Sequence, residues 1–315
     1  MAHELVAEVW RGDFLESVHH GSVVALAADG RRVLAVGRPD DTTYPRSSNK
    51  PVQALAMLRH GLDLDGELLA LACASHSGED FHVEGVTAIL ERHGLPLSAL
   101  QCTPDLPIGE DALKAHLARG LGKAPRYMNC SGKHAAMLAT CVVNGWSTHD
   151  YLDPAHPLQG AIRDTLEELA GERIGAEGVD GCGAPLLGIS LTGLARAFGS
   201  LANARDGHEL RVARAMSAHP EWVGGTDRDV TKLMRAIPGA VAKDGAEGVY
   251  AIGLPSGEAV ACKIADGSSR ARAVVLVAAL RRLGVAGAPD ELATFPVLGH
   301  GRAVGAIRPS PVLAG

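Results

Sequence analysis

The alternation of apolar and polar residues divides the chain into strand-like ends and a helical middle. Strand-like alternation occupies 4–10, 17–27 and 32–37, and Asp29-Gly30 between the last two is typical of a hairpin turn. Helical spacing fills the middle, at 50–60, 66–74, 80–93, 131–144, 158–170, 187–204 and 210–218. Strand signals return at 248–253, 258–264 and 303–307, around one helix predicted at 270–283. We therefore predict an α/β fold of the α+β type, with an antiparallel-rich sheet built from both chain ends and flanked by helices.

This organisation predicts one two-lobed domain over residues 1–315, because no repeat, low-complexity segment or linker interrupts it. Hydrophobic residues make up 46% of the chain, which is enough for a large core. An aromatic content of 3% and a net charge of −6 argue against nucleic acid as the main partner. The acidic segment 1–10 lacks the features of a signal peptide, and no apolar run is long enough to cross a bilayer. We expect a cytoplasmic protein with no membrane partner and six reduced cysteines.

A Ser-x-x-Lys spacing, from Ser47 to Lys50, stands at the start of the predicted helix 50–60. One helical turn places the hydroxyl and the amine on one face, where the lysine can take the hydroxyl proton. The helix amino terminus would also stabilise negative charge that develops there. A capping serine followed by a solvated lysine is the commoner explanation of an isolated match. The Ser47–Lys50 spacing therefore indicates a catalytic pair only in combination with the other polar clusters.

Two cysteines and a lysine form a second cluster. Cys130 and Lys133 lie one turn apart at the start of the predicted helix 131–144, and Cys182 stands between two glycines. Two thiolates, one further ligand and a water suit zinc in an open tetrahedral site, although lysine must lose its proton to bind the metal. Two reduced structural cysteines explain the spacing equally well. Asp180 is placed to hold a substrate amino group, with a turn aspartate as the alternative.

Ser75 and Lys263 complete the polar set. Ser75 emerges from a buried apolar segment, and such a serine often faces a pocket; His76 points away from it, and we assign it a supporting role. Lys263 lies on the predicted strand 258–264, on the face that carries small residues. Two lysines in one pocket lower each other's proton affinity, so that one amine can act as a base near neutral pH. The alternative is an edge-strand lysine that deters aggregation.

Five sequence words occur in the order found in one known family. They are Arg46-Ser47-Ser48-Asn49-Lys50-Pro51-Val52-Gln53, Cys73-Ala74-Ser75-His76-Ser77-Gly78-Glu79, Asn129-Cys130-Ser131-Gly132-Lys133-His134, Asp180-Gly181-Cys182 and Lys263-Ile264-Ala265-Asp266-Gly267. With these words the chain resembles the class 3, rhizobial-type L-asparaginases, from about residue 4 to about residue 307. The Asn-Cys-Ser-Gly-Lys-His word is the most specific of the five.

The resemblance implies the fold of the serine β-lactamases and glutaminases, a homodimer, and hydrolysis of L-asparagine to L-aspartate and ammonia. It leaves open which serine is the nucleophile. It implies a zinc ion that tunes substrate binding. The residues that it implies are Ser47 with Lys50 and Ser75 with Lys263 for catalysis, Arg46, Asp180 and His134 for the substrate, and Cys130, Lys133 and Cys182 for zinc.

Three other functions stay open at this point. In a zinc hydrolase the metal would activate water and the serines would only bind, so chelation would abolish activity. A glutaminase or a β-lactamase-like hydrolase would share the fold and differ in substrate. A non-catalytic binding module would bind a ligand without releasing ammonia, although two serine–lysine pairs argue against it.

Overall fold

The computed structural model describes residues 3–314, so the ends of the predicted domain 1–315 and the first residues of segment 1–10 lie outside the described residues. Within this range eleven strands form two sheets. The strands are β1 (Glu4–Arg11), β2 (Phe14–Leu26), β3 (Arg32–Val36), β4 (Thr42–Thr43), β5 (Ala176–Val179), β6 (Pro185–Ser190), β7 (Val241–Asp244), β8 (Val249–Gly253), β9 (Ala259–Ile264), β10 (Phe295–Gly299) and β11 (Arg302–Pro309).

The helices of the described range lie mostly between β3 and β7, as the pattern predicted. They are α1 (Lys50–Arg59), α2 (Gly66–Ala72), α3 (Asp80–Arg92), α4 (Glu110–Ala118), α5 (Ser131–Asn144), α6 (Pro157–Ala170), α7 (Leu191–Ala202), α8 (Gly207–Ala218), α9 (Pro220–Val223), α10 (Asp229–Ala236), α11 (Arg272–Arg282) and α12 (Pro311–Ala314). None of the helices found in residues 3–314 combines the length and apolar character that a membrane crossing requires.

The large sheet unites the two ends of the chain. Its order is β10-β11-β1-β2-β9-β8-β7, with β3 beside β2, and every pairing is antiparallel. The long strand β2 makes the connection, because it pairs with β1 and, through residues 21–26, with β9. The predicted fold class, an antiparallel sheet built from both ends and flanked by helices, is therefore confirmed.

Helices cover both faces of this sheet. On one face of β9, Ala259 lies against Gly199 of α7. On the other face, the Cys262 thiol donates to the Arg272 carbonyl at the start of α11, with 3.8 Å between the two atoms. Small residues on β9 let α7 approach closely, and the helical insert packs beyond it.

The predicted helix 187–204 is wrong in its first part. Residues 187–190 belong to β6, which pairs with β4 and β5 in a small second sheet, and α7 begins at Leu191. All six residues of β6 are buried, and a short apolar run does not distinguish a strand from a helix. Ser190 marks the change, because its Oγ caps α7 by accepting from the Gly193 amide at 2.8 Å.

Candidate active site

Lys50 and Ser75 form a buried hydrogen-bonded pair. Lys50 begins α1, with Pro51 tolerated in the first turn, and Ser75 follows the end of α2. The Lys50 Nζ lies 2.9 Å from the Ser75 Oγ and 2.5 Å from the Ala74 carbonyl oxygen. Lys50 is 1% exposed and Ser75 6% exposed. A serine hydroxyl in direct contact with a lysine amine, shielded from water, is a suitable nucleophile and base.

The thiol of Cys130 joins this pair from the start of α5. Its Sγ lies 3.0 Å from the Lys50 Nζ. The approach of α5 to α2 depends on Gly132, because a Cβ there would lie 2.5 Å from the Leu71 carbonyl oxygen. One turn further along α5, the Lys133 Nζ lies 3.1 Å from the Cys182 Sγ. The structure therefore brings the predicted thiol cluster and the Lys50–Ser75 pair into contact.

The contact between the two thiols moves their pKa values in opposite directions. Hydrogen bonding with Cys130 lowers the pKa of Cys182, and hydrogen bonding with Cys182 raises the pKa of Cys130. Burial alone would lower the pKa of Lys133, but the neighbouring Cys182 and Cys130 outweigh it and raise that pKa. A thiolate at Cys182 beside an ammonium at Lys133 is the resulting charge state.

These residues fit a zinc ion by the chemistry of their donors. Two cysteines and one lysine converge, and a bound metal would replace the protons of Cys130 and Lys133. Within residues 3–314 no three His, Cys, Asp or Glu side chains gather as a metal site. A zinc site here therefore depends on Lys133 as its third protein ligand.

Arg46 and Asp180 form an ion pair next to this cluster. The Arg46 Nη2 and Nε lie 2.8 and 2.9 Å from the Asp180 Oδ1. Arg46 has a φ of +51°, a left-handed conformation that is costly for a side chain with a Cβ. Both side chains are partly exposed, which leaves the pair open to exchange with a charged ligand. The predicted substrate-binding pair is thus brought together.

Ser47 lies in the 3₁₀ turn Arg46–Asn49 that precedes α1. It is partly exposed, and its hydroxyl makes no hydrogen bond to any residue of the described range. Its neighbour Ser48 is buried instead, and the Ser48 Oγ donates to the Lys243 carbonyl oxygen at 3.0 Å. Lys50 therefore contacts Ser75 in this structure and not Ser47.

His134 is fully buried one residue beyond Lys133. Its Nδ1 shares a hydrogen bond with the Tyr151 hydroxyl at 2.8 Å. Burial, followed by the charge of Lys133, lowers the pKa of His134 to about 4. The ring is neutral near pH 7, and its Nε2 has no hydrogen-bond partner within the described residues, so substrate contact by His134 stays a prediction.

His76 likewise supports the site. Its Nε2 lies 2.9 Å from the Ser131 Oγ, and its backbone amide donates to the Asn129 carbonyl at 3.0 Å. These two bonds tie the segment that carries Ser75 to the start of α5, as the supporting role predicted from the sequence requires.

Lys263 is not brought to Ser75. Its Nζ donates to the backbone carbonyls of Glu247 and Ile264, the latter at 2.9 Å, and the side chain is half-buried. Burial, then nearby Arg46, lowers the pKa of Lys263, against the effect of Glu247 and Asp266. β9 lies between β2 and β8, so the edge-strand explanation does not apply. The predicted Ser75–Lys263 pair is absent from the described residues, and Lys50 takes its place.

Lys243 is the functional candidate that the sequence reasoning missed. It lies on β7, is completely buried, and donates from Nζ to the Asp244 Oδ1 at 2.6 Å and carbonyl at 2.7 Å. Burial, together with the charge of Lys50, lowers the pKa of Lys243 to about 8, although Asp244 opposes this. The signal in the sequence was a lysine inside the apolar run 240–243, followed by Asp-Gly.

Comparison with protein families decides the assignment. A family model described as L-asparaginase II matches residues 7–309. The chain belongs to the L-asparaginase II family. The family resemblance seen in the sequence words is thereby confirmed.

Other comparisons add less to the L-asparaginase II assignment. A solved structure described as Mglu in its native form in the presence of 4.3 M NaCl is 13% identical, with a TM-score of 0.48. The alignment covers 84% of this chain and 61% of that chain, so this chain spans less than two thirds of its length. Comparison with curated protein sequences gives no significant match.

Proposed function

We propose that this protein is an L-asparaginase, which hydrolyses L-asparagine to L-aspartate and ammonia through an acyl-enzyme on Ser75. The observation that carries the proposal is the buried contact of 2.9 Å between the Lys50 Nζ and the Ser75 Oγ. This contact brings a nucleophile and its base together. The chain also belongs to a family described as L-asparaginase II.

The chemistry follows from that contact. Lys50, in its neutral form, accepts the hydroxyl proton as the Ser75 Oγ attacks the side-chain amide carbonyl. The same lysine returns the proton to the leaving nitrogen, so that ammonia departs and an aspartyl ester remains. A water molecule then attacks the ester, Lys50 takes one of its protons and passes it to the departing Ser75 Oγ, and L-aspartate is released. The proton that left Ser75 with ammonia is thereby replaced from water.

Arg46 and Asp180 supply complementary charges for an amino acid. A substrate α-carboxylate pairs with the Arg46 guanidinium, and a substrate α-ammonium pairs with the Asp180 carboxylate. In the free protein the two side chains bind each other, with 2.8 Å between the closest atoms. Substrate binding would exchange this ion pair for two new ones, which favours a ligand that carries both charges.

Lys243 is proposed as a second base of the site, beside Lys50. Burial is the main cause that lowers the pKa of Lys243, and the charge of nearby Lys50 lowers it further. A neutral Lys243 would leave room for the positive charge that Lys50 acquires during attack. Lys243 also approaches the 3₁₀ turn through the hydrogen bond from Ser48.

Zinc is proposed as a modulator, held by Cys130, Lys133 and Cys182. A bound zinc ion would fix the thiols and orient a polar group of the substrate next to Ser75. We further propose a cytoplasmic homodimer, which gel filtration with light scattering would test. A zinc hydrolase and a glutaminase are the competing functions, and the assay below separates them.

The test is ammonia release from L-asparagine and from L-glutamine, with and without a zinc chelator. We expect release from L-asparagine that survives chelation in part, falls by about three orders of magnitude in Ser75→Ala, and persists at a measurable level in Ser47→Ala. Complete loss on chelation would favour the zinc hydrolase. Preference for L-glutamine would favour a glutaminase, and no ammonia from either amide would refute the proposal.

A further inference from the structure

The far side of Lys243 carries a cluster of four charged side chains, of which two are buried and two are partly exposed. Asp244, at the end of β7, accepts from Lys243 through Oδ1 and from the Arg228 Nη2 through Oδ2 at 2.9 Å, and its Oδ2 forms an ion pair with the Arg272 Nη2, also at 2.9 Å. Arg272 also donates to Asp229, with 3.2 Å between Nη2 and Oδ2. The cluster is formed by Arg228, Asp229, Asp244 and Arg272, and we name it the ion cluster.

The charges of the ion cluster balance without Lys243. Two guanidinium groups face two carboxylates, and Arg272 lies between both carboxylates. Arg272 also donates to the Gly245 carbonyl at 3.2 Å and lies over the Tyr250 ring, 5.4 Å from its centroid. A proton on Lys243 therefore adds one uncompensated positive charge to a completely buried position.

The pKa directions agree with this balance. Burial by itself would raise the pKa of Asp244, but Lys243, Arg272 and Arg228 outweigh it and hold that pKa well below its usual range. The charged or titratable groups around Lys243 are Asp244 on its own strand, Lys50 on α1, Arg228 before α10 and Cys73 after α2. The buried residues of α7 and α8, which also pack against β7, carry no charge.

We propose that Arg272 is a positioning residue that acts through Asp244 to weaken the hold on the Lys243 proton, so that a neutral fraction of Lys243 is available as a base. This inference rests on the role proposed above for Lys243. Neutralisation of Asp244 by Arg272 and Arg228 leaves the carboxylate able to hold the lysine amine in place without fixing a proton on it. Within the described residues, Arg272 itself makes no hydrogen bond to Ser75 or Lys50.

Two substitutions change the charge of the ion cluster in opposite directions. Arg272→Met removes a positive charge and leaves a net negative cluster beside Lys243, so the proton is held more tightly. Asp229→Asn removes a negative charge at nearly constant shape, so the proton is held less tightly. Arg272→Lys keeps the charge and serves as the matched control. A purely structural role would lower activity in all three without opposite shifts.

The experiment is an NMR titration of ¹³C,¹⁵N-lysine-labelled protein, with the Lys243 signal identified by its loss in Lys243→Met. We expect the apparent pKa of Lys243 to rise by about 1–3 units in Arg272→Met and to fall in Asp229→Asn. Arg272→Lys should restore most of the wild-type value. If Arg272→Met does not fold, the apparent pKa of Lys243 in Asp229→Asn alone tests the proposal. A pKa that is unchanged or raised in that variant would overturn it.

The pH dependence of kcat/KM for L-asparagine gives a second readout. Its acidic limb should move to higher pH in Arg272→Met and to lower pH in Asp229→Asn. If the pKa of Lys243 moves in opposite directions in the two variants but no ammonia is released, the effect of the ion cluster on Lys243 is supported and the asparaginase function is refuted. If ammonia is released but the pKa of Lys243 is unchanged in both variants, the asparaginase function is supported and this inference is overturned.

Discussion

Lys243 and Lys263 lie on the same face of the large sheet, and their surroundings differ in almost every respect. Lys243 pairs in register with Ala251 and Lys263 with Val249, two residues away on β8. Lys243 is completely buried, beside a carboxylate that two arginines neutralise. Lys263 is half-buried and donates to backbone carbonyls. The face of a strand therefore tells where a lysine points, and the burial and charge around it decide whether it serves as a base.

The comparison is tested most strongly by removing each amine in turn. Lys243→Met should lower kcat/KM for L-asparagine by about 10²–10⁴, the usual contribution of a general base. Lys263→Met, the matched control on the same face, should stay within about threefold of wild type. Both variants should be checked for folding by circular dichroism. Equal losses in the two variants would remove the distinction between these lysines.

Lys133 is a third buried lysine, and its partner is the thiolate of Cys182. Cys182→Ser weakens the negative charge beside Lys133 and removes a proposed zinc ligand. We expect KM for L-asparagine to rise roughly tenfold while kcat changes little, because this cluster binds and orients without supplying the nucleophile. Steady-state kinetics with measured zinc content checks this. A fall in kcat with KM unchanged would move the cluster into the chemical steps.

The smallest effect concerns stability in acid, which has to be separated from the titration of the lysines. Burial lowers the pKa of His82 to about 4, so the unfolded chain binds a proton that the folded one does not. Stability from a neutral His82 is present above about pH 6.5 and is lost as the pH falls towards 4. His82→Gln should therefore flatten the decline of Tm over that window by about 3 °C. An unchanged decline would assign the acid sensitivity to other groups.

The fold was largely predictable because its strands and helices carry clear periodicity. Both strand-rich ends and most helices follow from the spacing of apolar residues. The start of α7 did not, because the six residues of β6 are buried on both sides and have no alternation. The very short strand β7 was likewise invisible in the pattern, although it carries Lys243.

The candidate site was predictable where its residues share a helix turn or a sequence word. Cys130 with Lys133 belongs to this class, whereas Arg46 and Asp180 are 134 positions apart and were placed together only by the family resemblance. The pairing of Lys50 with Ser75 across 25 positions was not predictable, since it depends on the packing of α1 against α2. The choice between Lys243 and Lys263 depends on Arg228 and Arg272, which come from distant segments and which no local spacing connects to β7.

The central claim is that Ser75, activated by Lys50, carries the acyl group, and its most direct test is an acid quench during turnover of L-asparagine. Intact-protein mass spectrometry followed by peptide mapping would locate any aspartyl ester. We predict one aspartyl group on the peptide that contains Ser75, absent in Ser75→Ala and retained in Lys263→Met. An aspartyl group on Ser47 instead, still formed in Ser75→Ala, would contradict the account.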